Sequence, residues 1–248
     1  MKRVHLHAIG WAAAGATLLL VAGALPPHWR MSALPATGWL AALAYLLVSN
    51  ALLIGGLRRR GLARFGPADS VTSLRSTLVG AITGLVVASF TAVVPVALLV
   101  ALIVPALALD AADGWVARRT GTSSELGARF DMEVDAFLLL VLSVYVSRGM
   151  GFWVLTIGVL RYAFLIAGWA APSLQRRLPA RYWRKVVTAA AGIALAIAAS
   201  GWAPGVDTVL VGCALLLLLE SFGRDVVWLA RRRSARVPAP WPDPAGTR

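Results

Sequence analysis

The chain has only one cysteine, three histidines and eleven acidic residues among its 248 positions. Each scarcity removes a class of chemistry. The lone Cys213 lies in an apolar stretch, so no intramolecular disulfide can form and a thiol mechanism has no support. His5, His7 and His28 all lie near the N-terminus, without the spacing of a histidine metal motif. Charged residues make up 14% of the chain against 59% hydrophobic, and the mean hydropathy of +0.75 describes an integral membrane protein, not a soluble core. The net charge of +13 does not indicate nucleic acid. The basic residues gather in short segments between apolar runs, as in the cytoplasmic loops of membrane proteins.

The apolar runs predict an all-α polytopic fold of about eight transmembrane helices, each run approaching the ~20 residues needed to cross a bilayer. The first, about His5 to Leu25, follows Lys2 and Arg3 as a signal peptide would, but the continuing spans favour a retained helix. The second runs from about Gly38 to Leu57. The amphipathic GLARFGPADSVTSLRS is expected at the inner interface, before a third span to about Ala88. The fourth covers about Ala92 to Arg118, the fifth Gly127 to Val146 and the sixth Gly151 to Ala171. The seventh covers about Lys185 to Ala199 and the eighth Asp207 to Ala230. With the N-terminus inside, MKR, RRRGLAR, RRTGTSSELGAR, QRRLPARYWRK and RRRSAR all face the cytoplasm. Both termini are then cytoplasmic in the cell (inner) membrane. The division expected is a two-helix addition over residues 1–60, a six-helix core over 61–231 and a basic, proline-rich, disordered tail over 232–248.

Six of the eleven acids lie in one stretch: Asp110, Asp113, Glu125, Asp131, Glu133 and Asp135. Carboxylates flanked by long apolar runs are expensive, which marks them as functional. Asp110, Asp113, Gly114, Ala117 and Arg118 share one helix face, and Gly127, Asp131 and Asp135 share a face of the next. The linker RTGTSSEL holds turn and cap residues, so the two helices form an antiparallel hairpin on which four aspartates converge. Carboxylate oxygens suit hard cations such as Mg²⁺ or Mn²⁺, and two such ions can clamp a pyrophosphate. Gly114, Ala117 and Gly127 leave room for a ligand beside the backbone, and Arg118 offers a fork of donors to phosphate. Along a helix Asp110 to Arg118 spans ~12 Å, which puts Arg118 nearer the cytosol.

The order D-x2-D-G-x2-A-R-x8-G-x3-D-x3-D resembles the signature of the CDP-alcohol phosphotransferases at all its defined positions. That family has a six-helix core with the signature across its second and third helices, which corresponds to the six spans from about Val71 onward. The resemblance implies transfer of a phosphatidyl-type group from a CDP-linked lipid to an alcohol acceptor in the bilayer, with release of CMP. It implies that Asp110, Asp113, Asp131 and Asp135 hold two divalent cations, Mg²⁺ or Mn²⁺, and that Asp135 is also the general base. Asp113, Gly114, Ala117, Arg118 and Gly127 would shape the nucleotide pocket, and relatives with this core are commonly homodimers. The segment ADSVTSLR resembles the family's PNxLTxxR, keeping Thr72 and Arg75 as candidate substrate contacts but carrying Asp69 at the Asn position. Several members that make phosphatidylglycerophosphate or phosphoinositide carry Lys or Arg after the last aspartate, where this chain has Ala136.

Outside the signature, Arg161 falls in the middle of the sixth span, where an arginine must face a cavity or a partner. It is either an acceptor or phosphate contact, favouring a phosphorylated polyol, or half of an ion pair with Glu220. Glu220 and Arg224 are spaced to pair with each other. Glu133 and Glu125 fall off the aspartate face and read as surface charges. Two other functions compete: a cation transporter using the carboxylates, and an inactive membrane scaffold. No repeat is visible that would support transport, and the presence of all four aspartates argues against the scaffold.

Overall fold

The computed structural model describes residues 35–59, 67–120, 125–170 and 182–234. The expected first span and the tail after residue 234 lie outside them. The described residues form seven α-helices and no strand. They are α1 (Ala36–Arg59), α2 (Pro67–Ala88), α3 (Val96–Thr120), α4 (Glu125–Met150), α5 (Leu155–Ala170), α6 (Tyr182–Ser200) and α7 (Val206–Ser234). A single 3₁₀ turn, Phe152–Val154, joins α4 to α5. Proline sets two of the starts. Pro67 opens α2, where its missing N–H costs nothing, and the Pro95 carbonyl accepts the N–H groups of Leu98 and Leu99 ahead of α3.

Among the described residues, three helices are long and apolar enough to cross a membrane, over Ala36–Gly55, Trp183–Ser200 and Val206–Trp228. The apolar parts of α2, α3 and the α5 region are shorter: Thr72–Ala88, Val96–Asp110 and Phe152–Ala167. The expectation of eight full spans therefore holds only in part among the described residues, because α2, α3 and α4 use one end of their length for polar and acidic side chains. Of the segment expected at the inner interface, residues 61–66 lie outside the described residues. From Pro67 it is already α2, and Thr72, Ser73, Arg75 and Ser76 are buried in the bundle.

α2 and α4 form the centre. α2 packs on α1, α3 and α4, while α4 also packs on α5 and α6. The core between them is Val79, Ile82 and Leu85 of α2, Leu99 and Ile103 of α3, Leu138 and Leu142 of α4, and Leu195 of α6. Large apolar side chains also line the outside, among them Leu40, Leu47 and Leu216, each about two-thirds exposed (65%, 68% and 66%), as lipid contact requires. Since lipid is as apolar as leucine, helix association must come from close packing and hydrogen bonds. Small residues supply the first. A Cβ on Gly84 would sit 2.9 Å from the Gly38 carbonyl oxygen and 3.0 Å from the Ala42 Cβ, and one on Gly158 of α5 would overlap the Leu140 backbone of α4. Buried hydroxyls satisfy themselves on their own helix: Thr77 on the Ser73 carbonyl at 3.0 Å, Thr83 on Val79 at 2.7 Å and Ser143 on Leu139 at 2.7 Å.

This close approach gives a first expectation. Gly84→Ala should cost about 1–3 kcal/mol, because the obstructing atom is backbone and cannot rotate away. Gly55→Ala, with nothing within 4 Å, should not destabilise. Thermal unfolding of the two variants in detergent separates these outcomes, and equal midpoints would show that α1 and α2 are not in this contact.

Candidate active site

Three helices deliver charge to one point. Asp110 comes from the polar end of α3, five residues after Pro105, and Asp131 and Asp135 come from successive turns of α4. One carboxylate oxygen from each lies within 4.8 Å of the others. All three side chains are partly exposed, at 34%, 28% and 23%. Arg75 of α2 closes the group from inside, with its side chain at 0% exposure. Its Nη1 donates to Asp110 at 3.0 Å and to Asp131 at 2.7 Å, and its Nη2 pairs with Asp135.

The electrostatics explain this arrangement. Two carboxylates ~4.8 Å apart repel by roughly 3.5 kcal/mol at an effective dielectric constant of 20. Three together would push α3 and α4 apart, so the buried guanidinium is needed to hold them. One positive charge against three negative leaves a formal charge of −2, the complement of one divalent ion. The donor set fits such an ion chemically. It is all oxygen, and two oxygens on opposite sides of a Mg²⁺ with ~2.1 Å bonds stand roughly 4.2 Å apart. A partly open carboxylate group is also reachable by a water-soluble ligand.

The remaining sequence-predicted residues divide into three groups. Asp113, Gly114, Ala117 and Arg118 fall on the last turns of α3, and their side chains lie outside the described residues. Gly127 lies on α4 one turn before Asp131, half-buried, and Thr72 is buried one turn before Arg75. Arg161 is placed elsewhere. Its Nη2 pairs with Glu133 of α4, not with Glu220, the partner weighed against a phosphate contact. The reason is the order of packing: α5 lies directly on α4, and Glu133, two residues before Asp135, is turned ~200° away from it toward α5. Glu220 pairs instead with Arg224 one turn on, as its spacing predicts, and accepts from Trp183 Nε1 at 3.3 Å.

Sequence reasoning missed two features. It gave Arg75 a substrate contact but not its role against the aspartates. It also passed over Asp225, which is buried (4% exposed) and paired with Arg184 at 3.3 Å, tying α7 to α6. An acid six residues after Leu219, the last leucine of an apolar run, was the available signal.

Among the described residues, an all-helical bundle brings a carboxylate cluster from two successive helices to one point, a donor set suited to a hard cation. A family model, CDP-alcohol phosphatidyltransferase, matches residues 67–223. The chain belongs to that family, and it is therefore a membrane transferase acting between a CDP-alcohol and an alcohol acceptor, in a family that uses divalent metals. No curated protein and no solved structure matches it. The match begins at the first residue of α2 and ends within α7, so α1 lies outside it.

Proposed function

We propose that the protein transfers a phosphatidyl-type group from a CDP-linked lipid such as CDP-diacylglycerol to an alcohol acceptor and releases CMP, as a step of phospholipid synthesis. The observation that carries this reading is the convergence of Asp110, Asp131 and Asp135 across α3 and α4 within a fully matched signature. In it, Asp110, Asp113, Asp131 and Asp135 hold two divalent ions, Mg²⁺ or Mn²⁺. Such ions would neutralise the pyrophosphate charge and favour in-line displacement. Asp135 accepts the proton of the acceptor hydroxyl as its oxygen bonds to the lipid-side phosphorus, and the bond to the CMP oxygen breaks. Asp113, Gly114, Ala117, Arg118 and Gly127 line the nucleotide pocket at the cytosolic end of the hairpin. Arg75 acts on the aspartates rather than on the acceptor. Arg161 is the candidate contact for an acceptor phosphate, which would have to displace Glu133, while Thr72 borders the site from α2. The active-site end and both termini face the cytoplasm of the cell membrane, and the working unit is a homodimer.

Purified protein in liposomes, given CDP-diacylglycerol, Mg²⁺ or Mn²⁺ and a panel of acceptors, should release CMP with one of them. The panel spans glycerol phosphate, inositol phosphate, free polyols and amino alcohols. Folded protein that neither binds the CDP-lipid nor turns it over would sink this reading and make cation flux the next assay.

A further inference from the structure

The helix outside the family match is built into the site. α1 runs antiparallel to α2, with Gly38 and Ala42 against Gly84, Leu46 against Gly80, and Ser49 against Ser76. These bare glycines, one turn apart, bring the two backbones close enough for α1 side chains to pass behind α2. Tyr45 does so. Its hydroxyl is 3.3 Å from Ser76 Oγ, on the residue after Arg75, and Ser76 in turn donates to Ser49 Oγ at 3.3 Å. The Tyr45 ring stacks on Phe137 of α4, two residues after Asp135, with centroids 4.7 Å apart and planes at 26°. One side chain therefore grips both helices whose charges must meet: α2 through a hydrogen bond beside Arg75, and α4 through an aromatic face beside Asp135.

We propose that Tyr45 is a positioning residue for the aspartate site, setting the separation and rotation of α2 against α4, so that α1 is part of the catalytic unit. This rests on the aspartate cluster being the metal site. Arg75 reaches three carboxylates from one guanidinium, so a small shift between α2 and α4 alters all three contacts at once. A stacked pair beside the site resists that shift, and the hydroxyl fixes its direction. Misplacement by ~1 Å can cost as much as 10²-fold in such sites.

The test uses the full chain in liposomes with two readouts. Nitroxides at Leu74→Cys on α2 and Met132→Cys on α4, both exposed, report the α2–α4 separation through their dipolar coupling in a Cys213→Ser background. Mn²⁺ binding, followed by the free-ion resonance, reports the site. Tyr45→Ala should broaden the nitroxide distances and weaken Mn²⁺ binding about tenfold, with Tyr45→Phe showing a smaller loss. Leu47→Ala, on the lipid-facing side of α1, should change neither. If Tyr45→Ala does not fold, Tyr45→Phe combined with Ser76→Ala carries the same comparison with the ring stack retained. Variants that melt earlier yet keep wild-type distances and Mn²⁺ affinity overturn the proposal and leave α1 a packing element. Distances that respond to Tyr45→Ala in a protein that binds no Mn²⁺ would keep the positioning role of Tyr45 and refute the metal-site reading instead.

Discussion

Asp135→Asn should lower CMP release by about 10²–10⁴-fold, the range that loss of a positioned base produces. The substitution keeps the shape of the side chain and the stack of Phe137 two residues on, so the fold should survive. It removes the proton acceptor and one of the negative charges facing Arg75. With two described carboxylates left against the guanidinium, affinity for divalent ions should fall as well, and excess Mn²⁺ should restore only part of the rate. Glu220→Gln, in the exposed pair with Arg224, should leave turnover unchanged. Initial rates at saturating metal, with circular dichroism as the folding control, decide the matter. An Asp135→Asn enzyme within threefold of wild type would remove Asp135 from the base role.

Arg75→Gln should have the largest effect on stability. Removing one member of a buried charge group typically costs about 3–5 kcal/mol because the uncompensated charge stays behind, and the partial exposure of the three carboxylates puts the cost here at or below the lower end of that range. Here three carboxylates lose the cation that reaches all of them. In chelator the variant should therefore unfold well below wild type. Divalent ions should recover more stability in the variant than in wild type, since the ion then replaces a missing charge as well as binding its ligands. Melting curves with and without Mg²⁺ give both numbers. Equal midpoints in chelator would show that Arg75 is not the counter-charge of the site.

The aspartates were legible because they are rare and regularly spaced. In a chain this apolar, DxxD and DxxxD cannot be solvent decoration, and helical periodicity alone puts each pair on one face. Two successive helices followed from the same spacing, and the structure ends α3 at Thr120 and begins α4 at Glu125, but among the described residues α3 and α4 are joined mainly through α2 and α6, which pack on both. Partners were not legible. Arg75 meets Asp110 and Asp131 across sequence separations of 35 and 56, set by which helices touch. The same gap hid Arg161. Glu220 was the mate expected if Arg161 paired and Glu133 was read as a surface charge, and the packing of α5 on α4, through the bare surface of Gly158, selects Glu133. Tyr45 was invisible for a further reason: the signature directs attention to α3 and α4, whereas this side chain comes from a helix that no motif marks.

α4 carries arginine pairs on two nearly opposite sides, Asp131 and Asp135 to Arg75 and Glu133 to Arg161. Rolling this helix about its own axis by even one residue, ~100°, would tear both pairs at once. Its rotational freedom is thus removed from two directions, while neither pair opposes tilting of the whole helix with its partners. Motion of α4 is then directed into tilting together with the helices it is tied to, which leaves the aspartates aimed at the same point.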